Sequence, residues 1–277
     1  MLTIDWNQAI KYAHLVRIAY LVQPDQDYDD STIGQVNATG YTYQQTIYGS
    51  ELATDIDPNL GKVVSFGFTA RSSAGEVVAV IRGTDSIWDW IHDASFLMLP
   101  CTIDKSTGMT EDGFTSVYKS LRTARSGGAT VAAAIAAALG GGNATSVTVT
   151  GHSLGAALAT LLALDVALNT SCSSPTSYTY ASPRVGDHIF ASAYNSVVPC
   201  TYRIANRQDI VPQVPPILPL PYEHANTVYE LNPPQGKVAA TLPCMHALTS
   251  YLWLMDQFAA TNSCNLGDSC RGSAGQP

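Results

Sequence analysis

The run Ser146-Val-Thr-Val-Thr-Gly-His-Ser-Leu-Gly-Ala156 decides the reading of this chain. Its first half alternates β-branched residues, as a strand does, and the sequence that follows, Leu154 to Leu168, is apolar on nearly every side, as a helix buried against a sheet is. Between them stands Gly151-His-Ser153-Leu-Gly155, the Gly-x-Ser-x-Gly spacing of a nucleophile elbow. At such a turn a serine is held in a strained conformation above the sheet, with the N-terminus of the helix beneath it. The glycines have a steric cause. Positions two before and two after the serine lie against neighbouring backbone, where a Cβ on Gly151 or Gly155 would collide.

Alternation of strand-like and helix-like segments extends outward from the elbow. Lys62 to Ala70 and Glu76 to Ile81 read as strands joined by the hairpin signature Arg71-Ser-Ser-Ala-Gly75. Asp5 is placed to cap a first amphipathic helix carrying Ala9, Tyr12, Ala13, Val16, Ala19 and Tyr20. A helical stretch begins near Gly113, pauses at Gly127-Gly128, resumes at Val131 and stops at Gly140-Gly-Gly142. Beyond the elbow helix, Ser177 to Ala181 and Thr201 to Ala205 read as strands flanking a helix begun by Asp187. The pattern predicts a central, mostly parallel sheet flanked by helices, with functional residues at the strand C-terminal ends. No internal repeat or Pro/Ser-rich linker divides it, so one α/β domain over residues 1–277 is expected, with Ser263 to Pro277 as a tail poor in core residues.

Composition excludes several function classes. Of 277 residues, 46% are hydrophobic and 13% charged, which predicts a substantial core rather than disorder. The net charge of −8, with few and scattered basic residues, leaves no electrostatic footprint for nucleic acid. The apolar runs fall short of the ~18–20 residues that span a bilayer, so no transmembrane segment is expected. Met1 to Trp6 lacks the basic and apolar regions of a leader, as a mature secreted chain also would. Six cysteines without Cys-x-x-Cys pairs or histidine-ligand spacing argue against zinc and suit disulfides in an oxidising, extracellular setting. Fifteen pairings are open, with free buried thiols as the alternative; the preferred pairing joins Cys264 to Cys270, Cys172 to Cys200 and Cys101 to Cys244. No metal or organic cofactor is implied.

A serine hydroxyl is a weak nucleophile at neutral pH, so Ser153 needs a histidine base and that histidine a carboxylate. In α/β-hydrolases these follow in the order serine, acid, histidine. Asp209, in the loop Asn206-Arg-Gln-Asp-Ile-Val-Pro212 after a strand, is the expected acid; Asp165 lies within the elbow helix and Asp187 at a helix start. Among six histidines, His152 is too close to Ser153 to fold back on it and His14 belongs to the first helix. His92 falls in a hydrophobic cover segment, His188 at a helix start and His224 before a strand. His246, opening the apolar run Ala247 to Leu254, remains as the base. The oxyanion of a tetrahedral intermediate needs two fixed donors: the Leu154 N–H, directly after the nucleophile, and the backbone N–H of Thr84, with Gly83 allowing close approach.

Together these residues resemble the class 3, or fungal-type, lipases, a family that contains triacylglycerol lipases and feruloyl esterases. The resemblance rests on Val80-Ile-Arg-Gly-Thr84 with Ile87-Trp-Asp-Trp-Ile91, Gly113-Phe114, Val149 to Gly155, Pro183-Arg-Val-Gly-Asp187, Asp209-Ile-Val-Pro212, Tyr222-Glu-His224, and His246 with Tyr251, and covers about residues 65–255. It implies an α/β-hydrolase fold, a triad of Ser153, Asp209 and His246, and oxyanion donors at Thr84 and Leu154. It also implies that residues 85–100 form a short helical lid whose Ile87, Trp88, Trp90, Ile91, Phe96 and Leu97 meet lipid at an oil–water interface. The expected activity is carboxylic ester hydrolysis through an acyl-enzyme, with triacylglycerol as substrate. Feruloyl esterase and phospholipase A1 use the same scaffold, and a non-catalytic lipid-binding relative or a serine peptidase are the contrasting readings. Sequence alone leaves the oligomeric state open.

Overall fold

The computed structural model describes residues 2–50, 62–84, 96–142 and 144–272. In chain order its strands are β1 (Tyr41–Ser50), β2 (Val63–Ser72), β3 (Glu76–Ile81), β4 (Met98–Pro100), β5 (Met109–Glu111), β6 (Arg122–Ala124), β7 (Gly127–Thr130), β8 (Ser146–His152), β9 (Thr176–Tyr180), β10 (Gly186–Asp187), β11 (Thr201–Asn206), β12 (Tyr222–Glu223) and β13 (Val228–Leu231). Nine of them form one sheet in the order β13-β11-β9-β8-β3-β2-β1-β6-β7. From β13 to β3 the pairings are parallel, and from β2 outward they are antiparallel. A second, antiparallel sheet, β12-β10-β5-β4, pairs the end of the cover segment, Met98–Pro100, with β5.

Both faces of the large sheet are buried, and strand alternation divides the core in two. Val77, Ala79 and Ile81 of β3 face the elbow helix (Leu154–Asn169), with Leu158 and Leu162 among its contacts. Val78 and Val80 face the first helix (Trp6–Ala19) and the helix Leu248–Ala259. In β2 this rule is broken on purpose. The β1–β2 register slips beside Gly67, whose φ is +156° and where a Cβ would stand 1.9 Å from the Val80 carbonyl oxygen. The bulge sends Phe66 to one core and Phe68 to the other.

The first helix is capped by Asp5, which accepts from Asn7 and Gln8 N–H, as its position suggested. It is tied to the sheet by Tyr12, which donates to Glu76 together with Tyr41 and Thr148. Asp187 caps the helix His188–Val197 through Phe190 N–H.

Several expectations are corrected. The helical stretch after Gly113 ends at Ser120, and residues 122–130 turn back as the β6–β7 hairpin before a second helix, Val131–Gly140. The glycines at 127 and 128, both with positive φ, make a hairpin where a mere pause was expected. The preferred cysteine pairing gives way to Cys244–Cys270; Cys101, Cys172, Cys200 and Cys264 are free. The chain beyond 263 is no loose tail up to residue 272. Asp256 accepts from Cys264 N–H, and Cys264, Leu266 and Cys270 are buried, Leu266 and Cys270 with Val238, Cys244 and Met245. Among the described residues no helix is long and apolar enough to cross a membrane, and no group of three or more metal-ligating side chains gathers.

Candidate active site

The elbow is built as its spacing requires. Ser153 lies between β8 and the elbow helix with φ +60° and ψ −129°, in the left-handed half of backbone space that L-residues enter only when surroundings enforce it. A Cβ on Gly151 would stand 2.2 Å from the Gly155 carbonyl oxygen, and one on Gly155 would stand 2.4 Å from that of Ile81. Ser153 N–H donates to the Tyr180 carbonyl of the neighbouring strand, which fixes the turn to the sheet.

The three residues singled out from the sequence meet in one buried hydrogen-bonded chain. Ser153 Oγ is 2.9 Å from His246 Nε2, and His246 Nδ1 is 2.8 Å from Asp209 Oδ2. Because Nδ1 faces a carboxylate, it carries the proton, and Nε2 is left to accept from the serine hydroxyl. Asp209 is held by more than the histidine. Tyr251 Oη donates to Oδ2 at 2.8 Å and Val211 N–H donates to Oδ1 at 3.0 Å. The Tyr251 oxygen in turn accepts from Asn206 N–H, and the Asn206 amide donates to the Met245 carbonyl. The end of β11 and the segment bearing His246 are thereby bolted together.

His246 closes a short helix, Leu242–His246, instead of opening the long one. Ala247, extended at ψ 131°, breaks the chain direction before Leu248–Ala259 begins. The disulfide between Cys244 and Cys270 ties this short helix to the C-terminal segment.

After β3 the chain runs through Arg82, Gly83 and Thr84 past the serine. Arg82 is buried and donates to the carbonyls of Ser65 and Gly83. A Cβ on Gly83 would approach Tyr20 Oη to 2.6 Å and Ser153 Cβ to 2.9 Å. Only glycine lets this backbone close on the nucleophile, and Thr84 follows at once. Leu154 is the first residue of the elbow helix, where N–H groups have no intrahelical acceptor.

The other histidines have separate surroundings. His224 donates from Nε2 to the Pro212 carbonyl in the loop after Asp209, and burial pushes its imidazole down to about 3. His152 is buried beside His246, and burial first, then His246, hold it well below the usual histidine range. Asp165 accepts from Tyr118 and Asn169. Of the cover segment, Ile87, Trp88, Trp90 and Ile91 lie outside the described residues. Phe96 and Leu97 are described, away from the serine–histidine–carboxylate chain in their hydrogen bonds: their carbonyls accept from Tyr222 Oη, and Leu97's also from Asp112 N–H.

Asn206 and Tyr20 escaped the sequence reading. Asn206 ends a strand next to the Asp209 loop, a position that could have marked it; Tyr20 reaches the site from 132 residues before His152 and had no local signal.

Comparison with known proteins places the family and the fold. Residues 78–218 match the family described as lipase (class 3). A secreted mono- and diacylglycerol lipase of Fusarium solani is 32% identical over 157 residues, 57% of this chain and 44% of the relative. A phospholipase A1 of Oryza sativa subsp. japonica is 34% identical over 169 residues, 52% of this chain and 41% of its own length. This chain therefore aligns with less than half the length of either relative. The triacylglyceride lipase of Rhizomucor miehei superposes with a TM-score of 0.60 at 25% identity, covering 81% of this chain and 79% of that one. The central, mostly parallel sheet flanked by helices is the α/β-hydrolase fold.

Proposed function

This chain belongs to the class 3 lipase family, and from that premise we propose that it hydrolyses the carboxylic esters of acylglycerols through a covalent acyl-serine. The observation that carries the reading is the chain Ser153–His246–Asp209, at 2.9 and 2.8 Å, on a strained elbow with Gly83 packed against it. In acylation His246 Nε2 takes the Ser153 proton as Oγ attacks the ester carbon, and Asp209 stabilises the imidazolium that forms. The N–H groups of Leu154 and Thr84 receive the oxyanion, each such donor contributing about 3 kcal/mol in comparable sites. The imidazolium then protonates the leaving alkoxide, and water repeats the sequence to release the acid.

Ser153 is 1% exposed. Residues 85–100 remain the proposed cover of the site, and opening of that cover at a lipid surface would admit the ester. The names of the relatives support glycerides as substrates, with triacylglycerol as the sequence expectation, and that of the rice enzyme supports phospholipid A1 hydrolysis as the second reading. An extracellular location follows from the same reading: the Fusarium solani relative is named as secreted, and the Cys244–Cys270 bond suits an oxidising compartment.

The test is pH-stat titration of acid released from emulsified tri-, di- and monoacylglycerol, from phosphatidylcholine and from methyl ferulate, with soluble p-nitrophenyl butyrate alongside and Ser153→Ala as control. Release from glycerides, lost in the variant and rising sharply as substrate passes its solubility limit, is expected. Turnover of butyrate or ferulate alone would overturn the lipase reading, and activity surviving Ser153→Ala would overturn the triad.

A further inference from the structure

His152, set aside as a base, sits at the centre of a second hydrogen-bonded chain. Its Nε2 lies 2.9 Å from the main-chain carbonyl oxygen of His246, and its Nδ1 lies 2.8 Å from Tyr20 Oη. The Tyr20 oxygen also accepts from Gly83 N–H at 2.8 Å. The protons of this chain can be placed from the partners. A carbonyl oxygen can only accept, so His152 Nε2 carries the hydrogen. Burial keeps the ring neutral, so Nδ1 is an acceptor and Tyr20 donates to it, with the Tyr20 oxygen accepting from Gly83 N–H.

We propose that Tyr20 and His152 are positioning residues that lock the oxyanion strand at Gly83 to the backbone of His246, so that the two halves of the catalytic machinery keep one spacing. The inference rests on the catalytic reading of Ser153, His246 and Thr84 given above. Three further observations support it. His152 is 4% exposed and its ring lies 4.7 Å from that of His246, with the Tyr20 ring edge-on to it. The bonded backbone groups belong to the residue before Thr84 and to the base itself. The chain joins three segments that the sheet does not otherwise connect: the C-cap of the first helix, the loop after β3 and the short helix Leu242–His246. A second carboxylate or a charged histidine in place of this neutral bridge would put unbalanced charge beside an imidazole that becomes cationic during acylation.

The test pairs kinetics with a spectroscopic signature. Tyr20→Phe removes one oxygen and leaves the ring. It is expected to lower kcat on p-nitrophenyl butyrate about 10-fold with KM within about twofold, since the oxyanion donors are displaced, not lost, and misplacement of this kind weighs on the transition state. His152→Gln keeps a donor for the His246 carbonyl and an acceptor for Tyr20, and should retain kcat within about threefold; His152→Leu has neither and should lose at least 10-fold. Long-range ¹⁵N correlation spectra of the imidazoles should show wild-type His152 as the pure Nε2–H tautomer, and as a mixture in Tyr20→Phe. An Nδ1–H tautomer in the wild type, an unchanged kcat in Tyr20→Phe, or equal losses in the Gln and Leu variants would overturn the proposal. The tautomer is read without substrate, so a wild-type protein that hydrolyses no ester would count against the catalytic reading and still leave the bridge to be judged by its spectrum.

Discussion

Removing the hydroxyl of Tyr251 isolates one support of the candidate triad without opening a cavity. In Tyr251→Phe the ring stays in its fully buried place among Leu252, Met255 and the first helix. Two hydrogen bonds go: the one to Asp209 Oδ2 at 2.8 Å and the one from Asn206 N–H at 3.0 Å. A hydrogen bond to a charged group contributes about 1.5–3 kcal/mol, and a buried N–H left unpaired costs about 1–3 kcal/mol. The two losses share one oxygen and do not simply add, so about 3 kcal/mol of destabilisation is expected. For a chain of this size each kcal/mol lowers Tm by about 2 °C, which gives a fall of about 6 °C. Asp209 keeps His246 and the Val211 N–H, so activity should survive the change. A loss of about 10-fold in kcat, with KM little altered, is what a looser carboxylate would produce. Differential scanning calorimetry and butyrate kinetics on the same preparation read both numbers. A Tm within about 1 °C of wild type would mean that water replaces the hydroxyl, and a kcat loss of 10⁴-fold would mean that Tyr251, not the Val211 N–H, sets the Asp209 geometry.

Three further outcomes are expected. Gly155→Ala forces a Cβ to within 2.4 Å of the Ile81 carbonyl oxygen and 2.5 Å of that of Arg82, so the variant should be recovered unfolded or with Tm lowered by more than 10 °C; a wild-type melting curve would mean the elbow helix can slide. Replacing both Cys244 and Cys270 by Ala opens a bridge spanning 26 residues, which chain entropy values at about 3.5 kcal/mol, and denaturant titration should register most of it, with faster thermal inactivation because His246 rides on the freed helix. Burial pushes the Glu111 carboxyl up to about 7 in the folded protein, so the folded state holds its proton where the unfolded chain has lost it. Stability from this group is therefore complete at low pH and declines as pH rises from about 4.5 through 7, by on the order of 3 kcal/mol. Glu111→Gln should match wild type at pH 5 and exceed it in Tm at pH 8; the same difference at both pH values would refute the assignment.

What could be read from the sequence, and what could not, divides by the range of the interactions responsible. Gly151 and Gly155 announce the elbow because the collisions that exclude a side chain there come from the turn itself and from the strand beside it. Asp5 and Asp187 could be recognised as caps because the N–H groups they accept lie within three residues. The order of Ser153, Asp209 and His246 was readable for a different reason: parallel strands deliver their C-terminal loops to one edge of the sheet, and order along the chain maps onto position along that edge. Where a local signal was shared by two structures, the sequence chose wrongly. Gly127-Gly128 suits a helix break and a hairpin equally, and it took the pairing of Arg122 with Tyr48 at the sheet edge to favour the hairpin. Cysteine pairing failed because the partner of Cys244 was set by the tail packing under the His246 helix, a tertiary event that the spacing of six cysteines does not encode.

Tyr20 marks the limit. As a residue it continues the apolar stripe of the first helix and nothing nearby distinguishes it. Only the fold brings its hydroxyl between Gly83 and His152, where it partners two buried polar groups, a main-chain N–H and an imidazole nitrogen whose ring goes on to the His246 carbonyl. Each unpaired group would cost about 1–3 kcal/mol. The first helix thus does more than cover the sheet. Its hydrophobic face, Leu15, Val16 and Ala19, holds it against β2, β3 and β8 by burial that any apolar residues of the right size could supply, whereas the Tyr20 hydroxyl at its end meets a demand for one donor and one acceptor at a single point. A substitution in the stripe should therefore change stability and leave turnover per folded molecule intact, whereas a substitution at Tyr20 should lower turnover per folded molecule as well as stability.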